Sequence, residues 1–448
     1  MLYFFGVMAG KLAGTASQII GMNGTSLPGK VGRLFDGAML QKLARQVDDI
    51  VIVTGTNGKT TTANLLSHMV SYGQRRYLNN GAGSNLITGI TSSFIHESDL
   101  RGRIKDKDIA ILEVDEATME RVLAYVTPSV IVVTNFFRDQ LDRYGQIENI
   151  VDKVKTSIAP HKTKLILNAD DPFAMRLSTL DCDISYFGLQ KNSYTFPSQT
   201  MTDSKFCLCG HPFSYDYVHY GQLGYYHCEN CGFKRPTPQW EATRVTDTPT
   251  ASVTVNGKTY HSSLKGAYNA YNILAAIAVG ETISLSRTSM KKGLKSYTAE
   301  NGRMQQFFLY NSPLTLNLAK NPQGVNSTLS DFLQSKEDKQ MVFFLNDLDA
   351  DGKDPSWIWD ADYEHVNRSD VKRVICSGIR AYDMAIRILY AGVPKERILV
   401  LPSYQEAIDE MARVSLETYI LSNYTPLEEV RKLLLNHEDI NTDNREWV

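Results

Sequence analysis

The chain has 448 residues, 43% of them hydrophobic, and a formal net charge of -2 at pH 7. That length suits two or three domains with proper cores, and the near-neutral balance excludes a broad basic surface for nucleic acid. Six cysteines in a chain this long do not make a disulfide scaffold, but four of them cluster, which points to metal.

Residues 1–10 are apolar, but Lys11 interrupts them and no small-residue cleavage site follows a basic start. A signal peptide or spanning helix is not expected, and the cytoplasm is the expected compartment. Residues 1–21 read as an amphipathic helix packed on the body, in preference to a membrane-surface anchor. From about residue 50 to 170, short β-rich runs (50–53, 109–114, 130–134, 164–167) alternate with helical stretches. This is the rhythm of a doubly wound parallel sheet, whose strands are covered on both faces and therefore read as continuously apolar. Residues 191–240 shift to Ser, Thr, Tyr, Pro and the clustered cysteines, like an insertion. A hairpin is predicted over 252–260 around Asn256-Gly257, and a helix over 268–283. A second βα series follows, with runs at 341–345, 371–377 and 398–401, and a domain boundary near residue 304.

The run 51–53 ends in Gly55-Thr56-Asn57-Gly58-Lys59-Thr60-Thr61, and helical pattern follows over 61–69. A glycine-bracketed turn between a buried strand and a helix N-terminus is where phosphate binds best. Backbone N–H groups and the helix dipole face the anion, Lys59 can reach the β/γ oxygens, and the Thr60 hydroxyl can take a Mg²⁺ position. The run 109–113 ends in Glu113, followed by Asp115 and Glu116; ligands gather outside the carboxyl ends of parallel strands, so Glu113 is placed to hold Mg²⁺. Cys207 and Cys209, then eighteen residues, then Cys228 and Cys231, each pair followed by glycine, give a zinc-ribbon layout within residues 200–236. His211, His219 and His227 are spare ligands. Cys182 and Cys376 stand alone and read as core residues rather than nucleophiles.

The phosphate turn has only two residues between its glycines, and in that form it resembles the signature of the Mur ligase superfamily, ATP-dependent enzymes that activate a carboxylate as an acyl phosphate and couple it to an amine. The resemblance makes Gly55, Thr56, Asn57, Gly58, Lys59, Thr60 and Thr61 nucleotide-binding and Glu113 similar to the metal-binding glutamate of Glu-Val-Ser-Ser, with Asp115 and Glu116 in place of the serines. Residues 134–145 look like Thr-Asn-x-x-x-Asp-His-Leu-Asp-x-x-Gly, with Asn135 matched and Gln140 standing where a histidine associated with a second metal is usual. Residues 168–172 resemble the turn that adjoins the nucleotide. Gly266, Asn269 and Asn272 are similar to the helix whose polar residues contact the adenine, with Tyr268 in place of a histidine. Arg303 matches the arginine of Gly-Arg-Met-Glu, a clamp for the transferring phosphate. Residues 317–322 echo the Asp-Tyr-Ala-His-Asn-Pro segment.

The implied fold is α/β: a Mur-ligase-type ATPase domain over 1–304 with a mostly parallel sheet and an inserted zinc ribbon, then a C-terminal α/β domain over 305–448. Only about fifty residues precede the phosphate turn, too few for the UDP-binding domain of an ordinary Mur ligase. With the cysteine insertion and the Asp-rich segment 346–360, the chain resembles the MurT-type branch. That branch implies ATP, Mg²⁺ and Zn²⁺, a GatD-like glutaminase partner in a heterodimer, and lipid II as the substrate amidated at the α-carboxylate of D-glutamate. It also implies that Asp354 completes the partner's Cys-His pair, although the residues alone read as a capped acidic loop in which Asp349 or Asp351 could serve instead. A stand-alone amino-acid ligase of the folylpolyglutamate type and a non-enzymatic ATP- and zinc-binding scaffold are the competing readings.

Overall fold

The computed structural model describes residues 2–19, 25–81, 84–138, 146–192, 195, 203–247, 251–298, 302–332 and 335–442. Gln140 and the rest of 139–145, like Asn301, lie outside the described residues. The chain forms two compact units, Met1–Phe137 with Ile147–Tyr297, and Arg138–Gln146 with Thr298–Val448. The division thus falls between Tyr297 and Thr298, where the sequence reading put it near residue 304.

In the first unit β1 (Asp49–Thr54), β2 (Tyr77–Asn79), β3 (Ile109–Glu113), β4 (Val130–Val133), β5 (Lys164–Asn168) and β6 (Asp183–Leu189) run parallel in the order β2-β3-β1-β4-β5-β6. The apolar side chains of β1 and β3 are buried throughout, as a sheet covered on both faces requires. After β6 the chain leaves to make a separate two-stranded sheet, β7 (Ser214–Tyr220) with β8 (Leu223–His227). It returns as β9 (Trp240–Thr246), β10 (Ser252–Val255) and β11 (Lys258–His261), which extend the large sheet to nine strands. The β10–β11 turn has both Asn256 and Gly257 at positive φ, the geometry that an Asn-Gly hairpin supplies. Around the sheet lie α1 (Leu2–Ile19), α2 (Leu27–Phe35), α3 (Met39–Ala44), α4 (Lys59–Tyr72), α5 (Ile87–Glu97), α6 (Met119–Leu123), α7 (Ile147–Ile158), α8 (Ala267–Thr282) and α9 (Arg287–Ser296).

β1 lies between β3 and β4, so the connections on its two sides wind in opposite directions. That is a topological switch point, and the crevice outside the carboxyl end of β1 is where a ligand has room. The loops after β1, β3 and β4 all open there.

α1 packs on the body as expected, but beside Val7 its contact with α2 is a stripe of glycines rather than of large apolar side chains. A Cβ on Gly6 would come within 2.9 Å of the Gly32 carbonyl, and one on Gly10 within 2.8 Å of the Pro28 carbonyl. Val7 is the buried apolar residue of that face, and Phe5, Leu12 and Ile19 are left for the opposite one, so the helix is apolar on both sides rather than amphipathic. No described helix is long and apolar enough to cross a membrane.

The second unit is a seven-stranded sheet in the order β16-β15-β14-β17-β13-β12-β18, made of β12 (Gln305–Leu309), β13 (Ser312–Leu318), β14 (Lys339–Phe344), β15 (Val371–Ser377), β16 (Ile398–Val400), β17 (Glu417–Ser422) and β18 (Ile440–Asn441). β16, β15, β14, β17 and β13 are parallel; β12 is the antiparallel member. α10 (Pro322–Phe332) and α11 (Ala381–Tyr390) contribute Leu329 and Met384 to a core on one face, and α12 (Tyr404–Ala412) and α13 (Tyr424–Asn436) contribute Met411 and Leu434 to a core on the other.

Candidate active site and metal centre

The turn after β1 is closed by hydrogen bonds from the loop that follows β4. Thr56 N–H donates to the Asn135 carbonyl at 2.8 Å, Asn57 N–H to the Asn135 side chain at 2.9 Å, and the Thr134 hydroxyl to the Asn57 carbonyl at 2.7 Å. Thr134 and Asn135 thus shape the turn. α4 starts at Lys59, so Gly58 is its N-terminal flank, at φ +84°. Any larger residue is barred there twice, by that φ and by space, because a Cβ would lie 2.0 Å from the Asn272 side-chain oxygen. Asn272 is tied to Asn269 on α8 by a 3.2 Å hydrogen bond, and both are buried. These two asparagines, adenine contacts by resemblance, therefore abut the phosphate turn.

Lys59 is buried and donates to the carbonyls of Gly55 and Thr56 and to the Glu116 carboxylate at 2.9 Å. Burial pulls its pKa down, but the negative charges of Glu116, then Asp115 and Glu113, more than offset that, and the net shift is upward. Lys59 is thus a cation held ready at a helix N-terminus. Thr60 is the next residue of α4, and Glu113 ends β3 in register with Val53 of β1. Asn80, just beyond β2, fixes Glu113 by accepting from its N–H at 2.8 Å and donating to its carbonyl at 2.7 Å, while Asn85 donates to its carboxylate at 3.4 Å. A hydroxyl and a carboxylate at the open ends of two adjacent parallel strands are oxygen donors of the kind Mg²⁺ takes. Thr61 is half-buried in the first turn of α4.

Sequence reasoning ranked Glu116 low and missed Asn80, yet both stand at carboxyl ends of strands, the position that singled out Glu113. The resemblance of 168–172 understated those residues as well. Asp170 and Asp171 are fully buried; Asp170 accepts from Arg235 and, at 2.6 Å, from the Tyr271 hydroxyl of α8, and Asp171 accepts from Phe136 N–H at 2.7 Å. Desolvation pushes the Asp171 carboxyl up to about 7.

A cavity of about 630 Å³ in the same unit is lined by Gly10, Lys11 and Thr15 of α1, Ser92 and Ser93 of α5, and the loop Asn79-Asn80-Gly81. Its wall at Asn80 is the other side of the residue that fixes Glu113. The buried Ser84 hydroxyl beside it has no partner among the described residues.

The sulfurs of Cys207, Cys209, Cys228 and Cys231 lie within 4.8 Å of one another. Gly210 and Gly232 take positive φ, and their N–H groups donate to the carbonyls of Cys207 and Cys228, closing two tight knuckles. Four thiols that close together match a tetrahedral soft-metal site, and zinc would be held by all four, closing its coordination. A hydrogen bond from His211 N–H draws the Cys209 thiol down to about 6, while burial pushes Cys207 up to about 12. His219 is instead buried away against Leu189 and Thr195, and His227 pairs with Glu229. The turn between β7 and β8 carries Gln222, which donates to the Phe136 carbonyl, and Arg235, just after the second knuckle, reaches Asp170.

Arg303 and Asp354 belong to the second unit. Arg303 is half-buried in a turn stitched by Met304 N–H to the Asn317 side chain at 3.0 Å. Asp354 is exposed and caps a short 3-10 turn, accepting from Ser356 N–H at 2.8 Å, which lowers its pKa. Asp351 is buried and spent on Thr425, accepting its N–H at 2.8 Å; Asp349 is exposed. Beside the Asp354 turn, Trp359 packs edge-on against Tyr390 of α11 with Arg387 over its ring, and Trp359, Ile386 and Tyr390 remain exposed.

The Mur ligase middle domain profile matches residues 53–280, and the MurT ligase C-terminal profile matches residues 318–427. Over 418 residues the chain is 41% identical to the lipid II isoglutaminyl synthase (glutamine-hydrolyzing) subunit MurT of Staphylococcus aureus (strain COL), covering 93% of this chain and 94% of that one. The same subunit of Streptococcus pneumoniae is 34% identical over 442 residues, covering 96% and 97%. Among solved structures, a type C pseudomurein peptide ligase from Methanothermus fervidus superposes with a TM-score of 0.64 at 21% identity, over 86% of this chain and 78% of that one. The MurF ligase of Thermotoga maritima in complex with ADP gives 0.60 at 14% identity, over 88% and 81%. These two similarities carry the fold.

Proposed function

The chain belongs to the MurT family of ATP-dependent ligases, and from that membership we propose that it is the synthetase subunit of a lipid II isoglutaminyl synthase. Its substrate is the α-carboxylate of D-glutamate in the stem peptide, converted to the amide of D-isoglutamine. The observation that carries this is the turn at the N-terminus of α4, with Lys59 buried and charged beside Glu116 and with Thr60 and Glu113 close by.

A carboxylate is a poor electrophile, so it first attacks the γ-phosphorus of ATP and becomes an acyl phosphate, with ADP leaving. Ammonia then adds to the acyl carbon and expels phosphate. Lys59 and Arg303 steady the migrating charge, and Gly55, Thr56, Asn57, Gly58 and Thr61 cradle the phosphates while Asn135, Asn269 and Asn272 bound the nucleotide. Thr60 and Glu113 would hold Mg²⁺, which would supply Lewis acidity at the phosphoryl oxygens. The polar cavity beyond Asn80 receives the peptide that bears the carboxylate.

Ammonia comes from a GatD-like glutaminase partner. Outside the cysteine cluster, burial raises the pKa of both Cys182 and Cys376, so neither is poised as the nucleophile that glutamine hydrolysis needs. The exposed apolar surface of Trp359, Ile386 and Tyr390 next to Asp354 suits a protein partner, and Asp354 orients the partner's catalytic histidine. The reaction takes place in the cytoplasm at the inner membrane face, where lipid II lies.

The test is ATP-dependent amidation of lipid II by this chain alone. Product with ammonium but not with glutamine, and with glutamine once a glutaminase subunit is added, is expected. Incorporation of an amino acid instead of ammonia would move the assignment to a conventional ligase.

A further inference from the structure

α1 turns Phe5, Leu12 and Ile19 away from the protein, while Val7 and the glycines face inward. Phe5, Leu12 and Ile19 are seven residues apart, which places them along one line of the helix with only about 20° of drift per step. Leu12 is 68% and Ile19 80% exposed. α2 repeats the device with Leu27 and Leu34, also seven apart, Leu34 being 79% exposed and Lys30 exposed between them. A helix that packs on its own unit needs neither line. The opposite face of α1 already makes that contact through Gly6 and Gly10.

The exposed charge between these lines is basic. Of the basic residues in 1–35, Lys30 is exposed beside Leu34, whereas Lys11 turns to the cavity and donates to the His96 carbonyl, and Arg33 lies over the Tyr125 ring. Apolar lines with an exposed lysine between them match a surface that is apolar at depth and anionic at its face. The cavity lies on the inner flank of the same helix, where Lys11 and Thr15 line it.

We propose that α1 and α2 form an interfacial platform that seats on an anionic phospholipid bilayer through Phe5, Leu12, Ile19 and Leu34, with Lys30 at the headgroups. Its purpose rests on the reading of a lipid-linked substrate: the lipid stays in the bilayer on one side of α1 while the peptide reaches the polar cavity on the other.

The test is flotation of the full chain, alone and with a glutaminase subunit, on vesicles of phosphatidylglycerol and phosphatidylcholine in equal parts. The wild type is expected to float. The double variant Leu12→Asp/Ile19→Asp is expected to partition at least about tenfold less, and Leu34→Asp less by a smaller factor. Phosphatidylcholine alone or high salt weakens binding without abolishing it, because only the Lys30 contribution is screened. These exposed positions touch no nucleotide-binding residue, so ammonium-dependent amidation of a soluble, lipid-free peptide fragment serves as the folding control and stays unchanged. The vesicles carry no substrate; a wild type that floats but amidates nothing sinks the enzymatic reading and leaves the platform standing. Equal flotation of wild type and variants, or no flotation of the wild type, overturns the platform. So does sedimentation showing that the wild type self-associates through the ridge and that the variants fall apart into single chains.

Discussion

The ammonium nitrogen of Lys59 lies 2.9 Å from a carboxylate oxygen of Glu116, and both side chains are buried. Without nucleotide this pair is what keeps a charged lysine under the phosphate turn. Replacing one partner of a buried pair costs up to about 3–5 kcal/mol when the other charge is left alone, and less here because Asp115 and Glu113 still face Lys59. Glu116→Gln is therefore expected to lower the melting temperature of the free protein markedly and that of the ATP-bound protein much less, because phosphate oxygens then supply the counter-charge. The folded pKa of Lys59 is raised, so the stability it contributes is fully present below its unfolded value of about 10.4 and is lost only as pH rises through the folded one. The Glu116→Gln deficit should accordingly be constant between about pH 6 and pH 9. An equal drop with and without ATP would show that Lys59 does not exchange Glu116 for phosphate.

The two units predict two phenotypes. Lys59→Ala and Glu113→Ala each remove charge stabilisation at the phosphoryl group, so amidation should fall at least about a thousandfold whether ammonia is free or comes from glutamine. Asp354→Asn keeps an oxygen to cap the turn at Ser356 but loses the charge, and should spare the ammonium reaction while the glutamine-dependent one collapses. Loss of both activities in Asp354→Asn would remove its assigned role.

The cysteine cluster should contain one zinc per chain by elemental analysis, and Cys228→Ser should lose it. The consequences extend beyond the ribbon. Arg235, four residues after Cys231, bonds Asp170, which bonds Tyr271, the neighbour of Asn272 on α8. Metal loss is thus expected to lower the melting temperature and to weaken ATP binding roughly tenfold, read by calorimetry, since Asn272 abuts Gly58. Unchanged ATP affinity in a metal-free chain would confine the zinc to local support.

What could be read from the sequence was whatever a local pattern fixes. Continuous apolar runs bounded by Gly-Thr-Asn-Gly and by Glu113 announce parallel strands with a ligand at their ends, and cysteines followed by glycines announce knuckles because only that conformation turns the chain so tightly. Asn256-Gly257 announced its hairpin for the same reason. The partners were not legible. Glu116 and Asp115 are equivalent acids on paper, and only the fold turns Glu116 toward Lys59. Asp170 and Asp171 look like a surface turn until Arg235 and Tyr271, remote in sequence, arrive to cover them. The glycines of α1 looked like noise in an apolar helix, yet they decide which of its faces is inside.

Asp171 gives the protein a pH signature. Its buried carboxyl is pushed up to about 7, first by desolvation, against the hydrogen bonds from Phe136, Phe173 and Gln222. The folded state then holds a proton that the unfolded chain releases near pH 4, so this group's contribution is fully present below about pH 4 and is lost as pH rises through about 7. The slope is at most about 1.4 kcal/mol per pH unit over that window, and flat above it. Asp171→Asn is neutral at every pH and removes the slope, at the expense of one acceptor to Phe136 or Phe173. Denaturation midpoints measured from pH 5 to pH 8 should therefore converge for wild type and variant as pH rises, the wild type losing its advantage. Parallel curves would mean that Asp171 is already ionised across the range and that its hydrogen bonds outweigh its burial.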